Sequence, residues 1–260
     1  MIRTQFVVKT LTILLAIAAP AAAFDHSDWE AVLRLRVNDL GEFDYRGLAD
    51  DREKFDSYLE KLAAVSPESA PTSFPTNEDK IAYWINAYNA LIVEGVLRAY
   101  PVRSVRKLDR FFESAAYRLG GKTVSLDDVE HSILRKQFSE PRIHFSLVCA
   151  SVSCPRLAPF AFTGPKLEEQ LDARTRLFIS ERRNVTAEGG VILSKIFDWF
   201  KDDFRASGGV VRFIEDHGGL ALDGKRIRYR SYDWSLNRPG SRALSNDPEE
   251  RRASEQTRAP

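Results

Sequence analysis

The sequence predicts an α+β protein, a helix-rich single domain around a small mixed sheet. Apolar residues recur at helical spacing in several segments of ten residues or more. The apolar runs that favour strands are short, and two of them flank the Gly120-Gly121 pair, which suits a hairpin turn. Long helical segments and few short strands indicate that helices supply most of the core.

Two helices are predicted near the start of the domain. Ser27 and Glu30 have the spacing of a capping box, which predicts that a helix begins there. Residues 51–64 form the second helix, because their apolar positions fall on one face. A loop follows, marked by three prolines: Pro67, Pro71 and Pro75.

The strongest helix signal covers residues 77–99. Thr76 and Asp79 have capping-box spacing, and a proline follows the expected end. The middle of the segment is almost wholly apolar, so this helix should be central to the core. Asn86 and Asn89 interrupt it on one face. Buried amides need partners, so they either tie down a neighbouring loop or orient a catalytic group or a ligand.

The rest of the domain combines further helices with short strands. Ser125 and Asp128 have capping-box spacing and predict a helix that carries His131. The apolar run over residues 143–149 predicts a buried strand, although such a run does not exclude a helix. Helices are expected at residues 165–183, after Ser194 and at residues 210–217, and strands at residues 191–193 and 227–229.

The first 23 residues have the layout of a secretory signal peptide. Arg3 and Lys9 lie in a short basic region, an apolar stretch follows, and small residues precede a predicted cleavage after Ala23. The apolar stretch is short for a spanning helix, which needs about 20 residues, and an uncleaved anchor is the alternative. We therefore expect a periplasmic or secreted protein with no stable membrane insertion after cleavage, in a compartment where disulfides persist.

Composition indicates the domain limits and the classes of partner. Residues 24–237 are expected to form the single domain, and the polar segment 238–260 a disordered tail. The 38 basic and 37 acidic residues nearly balance, so no nucleic-acid partner is expected. The sequence has no Gly-rich phosphate loop, and we expect no cofactor. It leaves the oligomeric state open.

The segment from His144 to Pro155 contains the only two cysteines of the chain, Cys149 and Cys154. Four chemistries are open for them. In an oxidising compartment they form a disulfide. Alternatively, one thiol pairs with an imidazole for catalysis, or both thiols are buried and unpaired. The fourth alternative is a zinc site with His131 and His144, but the spacing fits no standard pattern, so no metal is expected.

The predicted strand decides between the two candidate nucleophiles. Side chains alternate along a strand, so His144 and Cys149, five residues apart, should point to opposite faces. Cys154 lies beyond the strand and is freer to approach His144 or His131, which makes it the preferred nucleophile. Three further residues are candidates for orienting the base or binding a ligand: Asn86, Asn89 and Asp233.

Several blocks of the sequence resemble the domain of unknown function 547 family. They are AYWINAYNA at residues 82–90, LDDVEH at 126–131, HFSLVCAS at 144–151, SCP at 153–155, LSKIF at 193–197 and YDWSLN at 232–237. The blocks span most of the predicted mature chain. The resemblance implies a single domain over about residues 26–237 and brings no established catalytic residues with it.

Two functions follow from these observations. The working hypothesis is an exported thiol-dependent hydrolase or transferase acting on an amide or thioester, with Cys154 or Cys149 as nucleophile and His144 or His131 as base. The alternative is a non-catalytic periplasmic binding domain, stapled by a Cys149–Cys154 disulfide, whose pocket holds a small molecule or a peptide.

Overall fold

The computed structural model describes residues 23–242, except residues 115–116, 188–189 and 223. Residues 1–22 of the predicted signal peptide and residues 243–260 of the predicted tail lie outside this part. Helices dominate the described chain, which also contains one small sheet of two strands and one of three. The predicted α+β class is therefore confirmed.

Three helices precede the central one: α1 (Ser27–Arg36), α2 (Tyr45–Asp50) and α3 (Glu53–Ala64). The first and third were expected, whereas α2 is too short to show a periodic pattern. The capping box expected at Ser27 is absent, because the Asp25 carboxylate accepts the Ser27 backbone N–H at 2.9 Å instead. Trp29 of α1 stacks on Tyr58 of α3, which packs the two helices together.

The central helix is α4 (Asn77–Arg98). It begins at the predicted capping box: Thr76 Oγ1 accepts from the Asp79 backbone N–H at 3.1 Å, and the Asp79 carboxylate accepts from the Thr76 backbone N–H at 3.2 Å. Every residue from 81 to 96 is buried, which confirms that the helix lies at the centre of the core. It therefore fixes the loops that pack against it.

A hairpin follows α4, as predicted, with β1 (Tyr117–Leu119) antiparallel to β2 (Lys122–Val124). The next helical segment is a π-helix over Asp128–Leu134 that continues into α5 (Arg135–Gln137). Reciprocal hydrogen bonds of 2.8 and 3.0 Å between Ser125 and Asp128 hold its start. The capping interaction was predicted, but the wider π-helical turn was not.

The strand predicted over residues 143–149 is wrong. Pro141–Phe145 form a 3-10 helix, and an irregular segment leads from there to Cys149. The Asn89 amide supplies the hydrogen bonds that a neighbouring strand would supply: it donates to Ser146 O and accepts from Val148 N, both at 2.9 Å. Ala150 then adopts a φ of 59°, which breaks any extended course.

A second layer follows, with α6 (Leu167–Ser180), β3 (Val185–Thr186), β4 (Val191–Leu193), α7 (Ile196–Trp199), α8 (Val210–Gly218) and β5 (Ile227–Tyr229). The central strand β4 is antiparallel to β3 and parallel to β5, so this sheet is mixed, as predicted. A second apolar cluster packs here beside the cluster around α4, and its largest members are phenylalanines: Phe145, Phe178, Phe197, Phe204 and Phe213.

The packed chain continues beyond Asn237, the predicted end of the domain. The buried Glu42 carboxylate accepts the backbone N–H groups of Gly240 at 2.9 Å and of Arg242 at 2.7 Å. It also accepts the Ser241 hydroxyl at 3.2 Å. Residues 240–242 are thus part of the fold. Within the described ranges, no helix is both long and apolar enough to span a bilayer.

Candidate functional site

A cavity of about 210 Å³ lies between the two apolar clusters and is the candidate site. Four of the residues predicted for the site line it together: His131, His144, Cys149 and Cys154. His131 comes from the π-helix and His144 from the 3-10 helix Pro141–Phe145. Cys149 ends the irregular segment that α4 fixes through Asn89, and Cys154 follows five residues later. The remaining lining is aromatic, acidic or aliphatic.

The two cysteines are joined in a disulfide that forms part of the cavity wall. Cys154 is only 1% exposed, whereas Cys149 is partly exposed. The Tyr232 hydroxyl lies 3.3 Å from Cys149 Sγ and 3.2 Å from Cys154 Sγ. The Ser151 hydroxyl lies 3.1 and 3.4 Å from the same two atoms. Of the four chemistries considered for the cysteines, the structure contains the disulfide.

The loop that carries the disulfide is held by the C-terminal segment. Val152 N–H donates to Ser235 O at 2.9 Å, and Asn237 N–H donates to Ala150 O at 3.1 Å. Arg183 and Arg242 both donate to the Cys154 carbonyl at 3.2 Å. The disulfide therefore closes a loop whose backbone is already fixed on two sides.

His144 lines the cavity and binds Asp203, which in turn binds Arg135, and neither Asp203 nor Arg135 is part of the lining. The His144 Nε2 lies 2.7 Å from the Asp203 carboxylate, and its ring stacks on Phe200 at 4.0 Å between centroids. Arg135 binds both carboxylate oxygens of Asp203, at 2.6 and 2.9 Å. Although burial alone would raise the pKa of Asp203, the hydrogen bonds from His144 and Arg135 hold it well below its ordinary value. Asp203 thus stays ionised and orients the imidazole.

His131 is less suited to accept a proton. Arg135 Nη1 lies 3.0 Å from its Nδ1. Because a guanidinium only donates, Nδ1 must accept, and the remaining proton sits on Nε2, which lies 3.7 Å from Asp127. Neither nitrogen is then free to act as a base. Of the two predicted bases, His144 has the better geometry.

Three carboxylates line the cavity: Glu113, Asp127 and Glu130. Burial raises the pKa of Asp127, and the neighbouring Glu113 and Glu130 raise it further; only a protonated His131 would oppose them. The Tyr88 hydroxyl donates to Glu130 at 2.8 Å. Asp127, Glu130 and His131 lie three and four residues apart, so one helical face presents all three to the cavity.

Aromatic rings form another part of the lining. The centroid of the Tyr232 ring lies 4.8 Å from that of Trp199 and 4.7 Å from that of Trp234. Trp199 is 43% exposed, which is unusual for so large an apolar side chain. It provides a partly exposed aromatic surface at the cavity.

The other predicted site residues do not line the cavity. Asn86 donates to Phe162 O at 2.8 Å and accepts from Phe162 N–H at 2.9 Å, and Asn89 holds Ser146 and Val148 in the same way. Both amides therefore tie down loops. The Asp233 carboxylate accepts the Ser235 backbone N–H at 2.8 Å within its own turn. Its neighbours Tyr232 and Trp234 face the cavity instead.

Sequence reasoning missed the acidic and aromatic lining. Asp127 and Glu130 had a signal, since they share a helical face with His131. Trp199 and Asp203 had none, because only the tertiary fold brings Trp199 to the cavity and Asp203 to His144. Tyr232 lay in a block that the sequence singled out, but nothing marked its side chain as the one that reaches Cys149. Among the described residues, no group of three or more His, Cys, Asp or Glu side chains is arranged to hold a metal ion. The zinc alternative therefore has no ligand set there.

Comparison with known families supports the resemblance noted in the sequence over part of the chain. Residues 72–179 match the model of the family described as "Protein of unknown function, DUF547". Over these residues the chain is similar to that family. The matched segment contains α4, the π-helix and both cysteines, whereas Trp199, Asp203 and Tyr232 lie outside the match. No curated protein and no solved structure matches the chain.

Proposed function

We propose that this protein is an exported binding domain for a small ligand, with the Cys149–Cys154 disulfide fixing one wall of its binding cavity. The observation that carries the proposal is the pairing of both sulfurs in that wall. Paired sulfurs are neither nucleophiles nor metal ligands. They do hold a loop in one conformation, and a preorganised pocket loses less entropy when a ligand binds.

The size of the cavity supports a small ligand. A dry cavity of roughly 150 Å³ is enough to bind benzene. The cavity here, at about 210 Å³, has room for a ligand somewhat larger than benzene or for one side chain of a peptide. It is smaller than the roughly 300–1,000 Å³ of sites for drug-sized molecules. A fragment-sized ligand therefore fits best.

The acidic lining also favours binding over thiol catalysis. A thiolate forms more easily beside cations, and carboxylates oppose it. Glu113, Asp127 and Glu130 line the cavity with the sulfurs. The proposed export is supported by the signal-peptide pattern of residues 1–23 and by the stability of disulfides outside the cytosol.

Ligand-observed NMR with a set of fragments of about ten heavy atoms tests the proposal. Some fragments should bind the protein, and Trp199→Ala should weaken them because it removes the partly exposed ring at the cavity. Tyr229→Ala is the matched control, since Tyr229 is similarly exposed, at 38%, but does not line the cavity. The proposal is wrong if no fragment binds, or if both variants bind as the wild type does.

A second candidate is the thiol-dependent hydrolase or transferase, acting after an external dithiol has reduced the disulfide. It is favoured by the His144–Asp203 hydrogen bond beside the same cavity. With the predicted strand absent, exposure favours Cys149 over Cys154 as nucleophile. The Cys149 thiol would pass its proton to His144 and attack the acyl carbon of an amide or thioester. The leaving amine or thiol would take that proton, and water would then release the acyl group.

Reduction followed by alkylation separates the two candidates. The binding proposal expects one quantitative disulfide that resists mild reductant, measured by intact mass. The enzyme candidate expects that, once reduced, Cys149 alkylates rapidly with iodoacetamide near pH 7. His144→Gln should then slow alkylation about tenfold or more, whereas His131→Gln should not. Slow alkylation that is insensitive to His144 would exclude the enzyme candidate.

A further inference from the structure

We infer that the ligand of this cavity carries a positive charge, as an ammonium or amidinium group attached to a small apolar framework. This inference rests on the proposed binding function and names the class of its ligand. Two independent features carry it: the charge of the lining and the arrangement of its aromatic rings.

The charge of the lining is one-sided. Its described residues include three carboxylates, Glu113, Asp127 and Glu130, and no lysine or arginine. The two histidines of the lining already have hydrogen-bond partners: His144 binds Asp203, and His131 binds Arg135. Carboxylates gathered at a partly buried site repel one another, and a bound cation relieves that repulsion. An anionic ligand would add to it.

The aromatic rings of the lining are the second feature that favours a cationic ligand. Trp199, Tyr232 and Trp234 lie in mutual contact at the cavity. The face of such a ring attracts a cation, and the attraction is stronger where the site is desolvated. Rings of this lining already bind guanidinium groups of the protein: Arg106 lies 5.3 Å from the Trp234 centroid, and Arg135 lies 4.8 Å from that of Phe200.

Acidic and aromatic groups together favour a particular ligand shape. The carboxylates fix the position of a cationic head, and the rings cover the apolar part next to it. At about 210 Å³, the cavity accommodates a group the size of benzylammonium. A neutral molecule of the same shape keeps the apolar contact but loses the charge interaction. The difference between the two is therefore the quantity to measure.

Isothermal titration with matched probes tests the inference on the full protein at pH 7. The probes are benzylamine, benzamidine, benzyl alcohol and benzoate, which share a ring and differ in charge. We expect at least one of the two cations to bind about tenfold or more tighter than benzyl alcohol, and benzoate to bind most weakly. The two cations distinguish an ammonium ligand from an amidinium ligand.

Variants that replace a carboxylate by an amide show which residues cause the preference for the cation. Asp127→Asn should reduce the preference for the cation over the alcohol by about three- to tenfold. Glu113→Gln should do so more weakly, and it also serves if the first variant fails to fold, because Glu113 is exposed. Glu53→Gln, on the exposed face of α3, is the control and should change nothing.

The outcomes separate this inference from the function on which it rests. If benzyl alcohol or benzoate binds as tightly as the cations, and Trp199→Ala weakens that binding, the cavity binds ligands and the charge inference is wrong. If neither carboxylate variant alters the preference, the inference is also wrong. If none of the four probes binds, the inference fails, and the fragment experiment decides whether the binding function fails with it.

Discussion

The single side chain of Asn89 positions one wall of the cavity. Both ends of its amide bind backbone atoms of the segment just before Cys149. Asn86, one turn earlier on the same helix, binds the backbone of Phe162 in the same manner and outside the cavity. The pair therefore offers two chemically equal substitutions with different consequences for the site.

We expect Asn89→Ala and Asn86→Ala each to lower the free energy of unfolding by about 2–5 kcal/mol. Each removes two buried hydrogen bonds and leaves a backbone N–H and a C=O unpaired. Urea denaturation measures this loss. Only Asn89→Ala should also weaken fragment binding at temperatures where both variants are folded. Equal binding by the two variants would contradict a positioning role for Asn89.

Glu42 is a second residue with a large expected effect. Burial alone would raise its pKa, but hydrogen bonds from Arg242, Asn38, Gly240 and Ser241 hold it below its ordinary value. Glu42→Gln puts an NH₂ group where an acceptor is required, so we expect a loss of about 2–4 kcal/mol in the free energy of unfolding. Limited proteolysis should then cut the C-terminal segment faster.

Glu60→Gln, on an exposed position of α3, is the control for Glu42 and should change the free energy of unfolding by less than about 0.5 kcal/mol. Equal protease sensitivity of the Glu42 variant and the wild type would show that Glu42 does not hold the segment.

Among the secondary-structure elements, the contact between α1 and α3 includes a titrating group. His26 Nδ1 lies 2.8 Å from the Tyr58 hydroxyl. Burial lowers the pKa of His26 to about 4, from an ordinary value near 6.5. Between these values the unfolded chain binds a proton at His26 that the folded chain does not. Stability is therefore lost as the pH falls from about 6.5 towards 4.

The expected slope from His26 is at most about 1.4 kcal/mol per pH unit. His26→Gln retains a hydrogen-bonding group and does not titrate. The difference in unfolding free energy between wild type and variant should therefore shrink as the pH falls from 7 to 5, as measured by urea denaturation at each pH. A difference that is constant over this range would mean that the pKa of His26 is not lowered.

The elements also show what local pattern can and cannot predict. α4, the β1–β2 hairpin and β5 follow from capping spacing, paired glycines and apolar runs, which are properties of neighbouring residues. The strand expected at residues 143–149 failed because a side chain of α4, more than 50 residues away, provides its hydrogen-bond partners. An apolar run indicates that a segment is buried but does not determine its backbone conformation. For residues 143–149 the contact with Asn89 determines it.

For the molecule as a whole, the disulfide should contribute modestly to stability. The cysteines are five residues apart, and closing so short a loop in the unfolded chain is worth about 2 kcal/mol in the chain-entropy description. The double variant Cys149→Ala/Cys154→Ala should lose about that much unfolding free energy and should bind fragments more weakly. Unchanged fragment binding would mean that the disulfide does not shape the cavity.

The site could be predicted only in part, because tertiary contacts between distant segments do not show in the local sequence pattern. The cysteines, His131 and His144 stand out in the sequence, and they do line one cavity. Asp203 and Trp199 come from elements about 50 residues further along the chain, and their local patterns indicate only helices. Asp233 was chosen from the correct segment, yet its neighbours Tyr232 and Trp234 face the cavity. Local pattern located this segment but did not identify the side chains that face inward.

The position of the C-terminal segment has a consequence for the order of folding. Leu236 N–H donates to Arg103 O, Asn237 N–H donates to Ala150 O, and Asn237 O accepts from Phe43 N–H. These contacts join parts of the chain separated by about 90 to 190 residues, and such distant contacts form late in folding. During synthesis, the loop carrying the cysteines emerges well before Tyr232 and Trp234. The cavity is therefore completed only once Trp234 has been made, and nascent chains that end before residue 232 lack one of its walls.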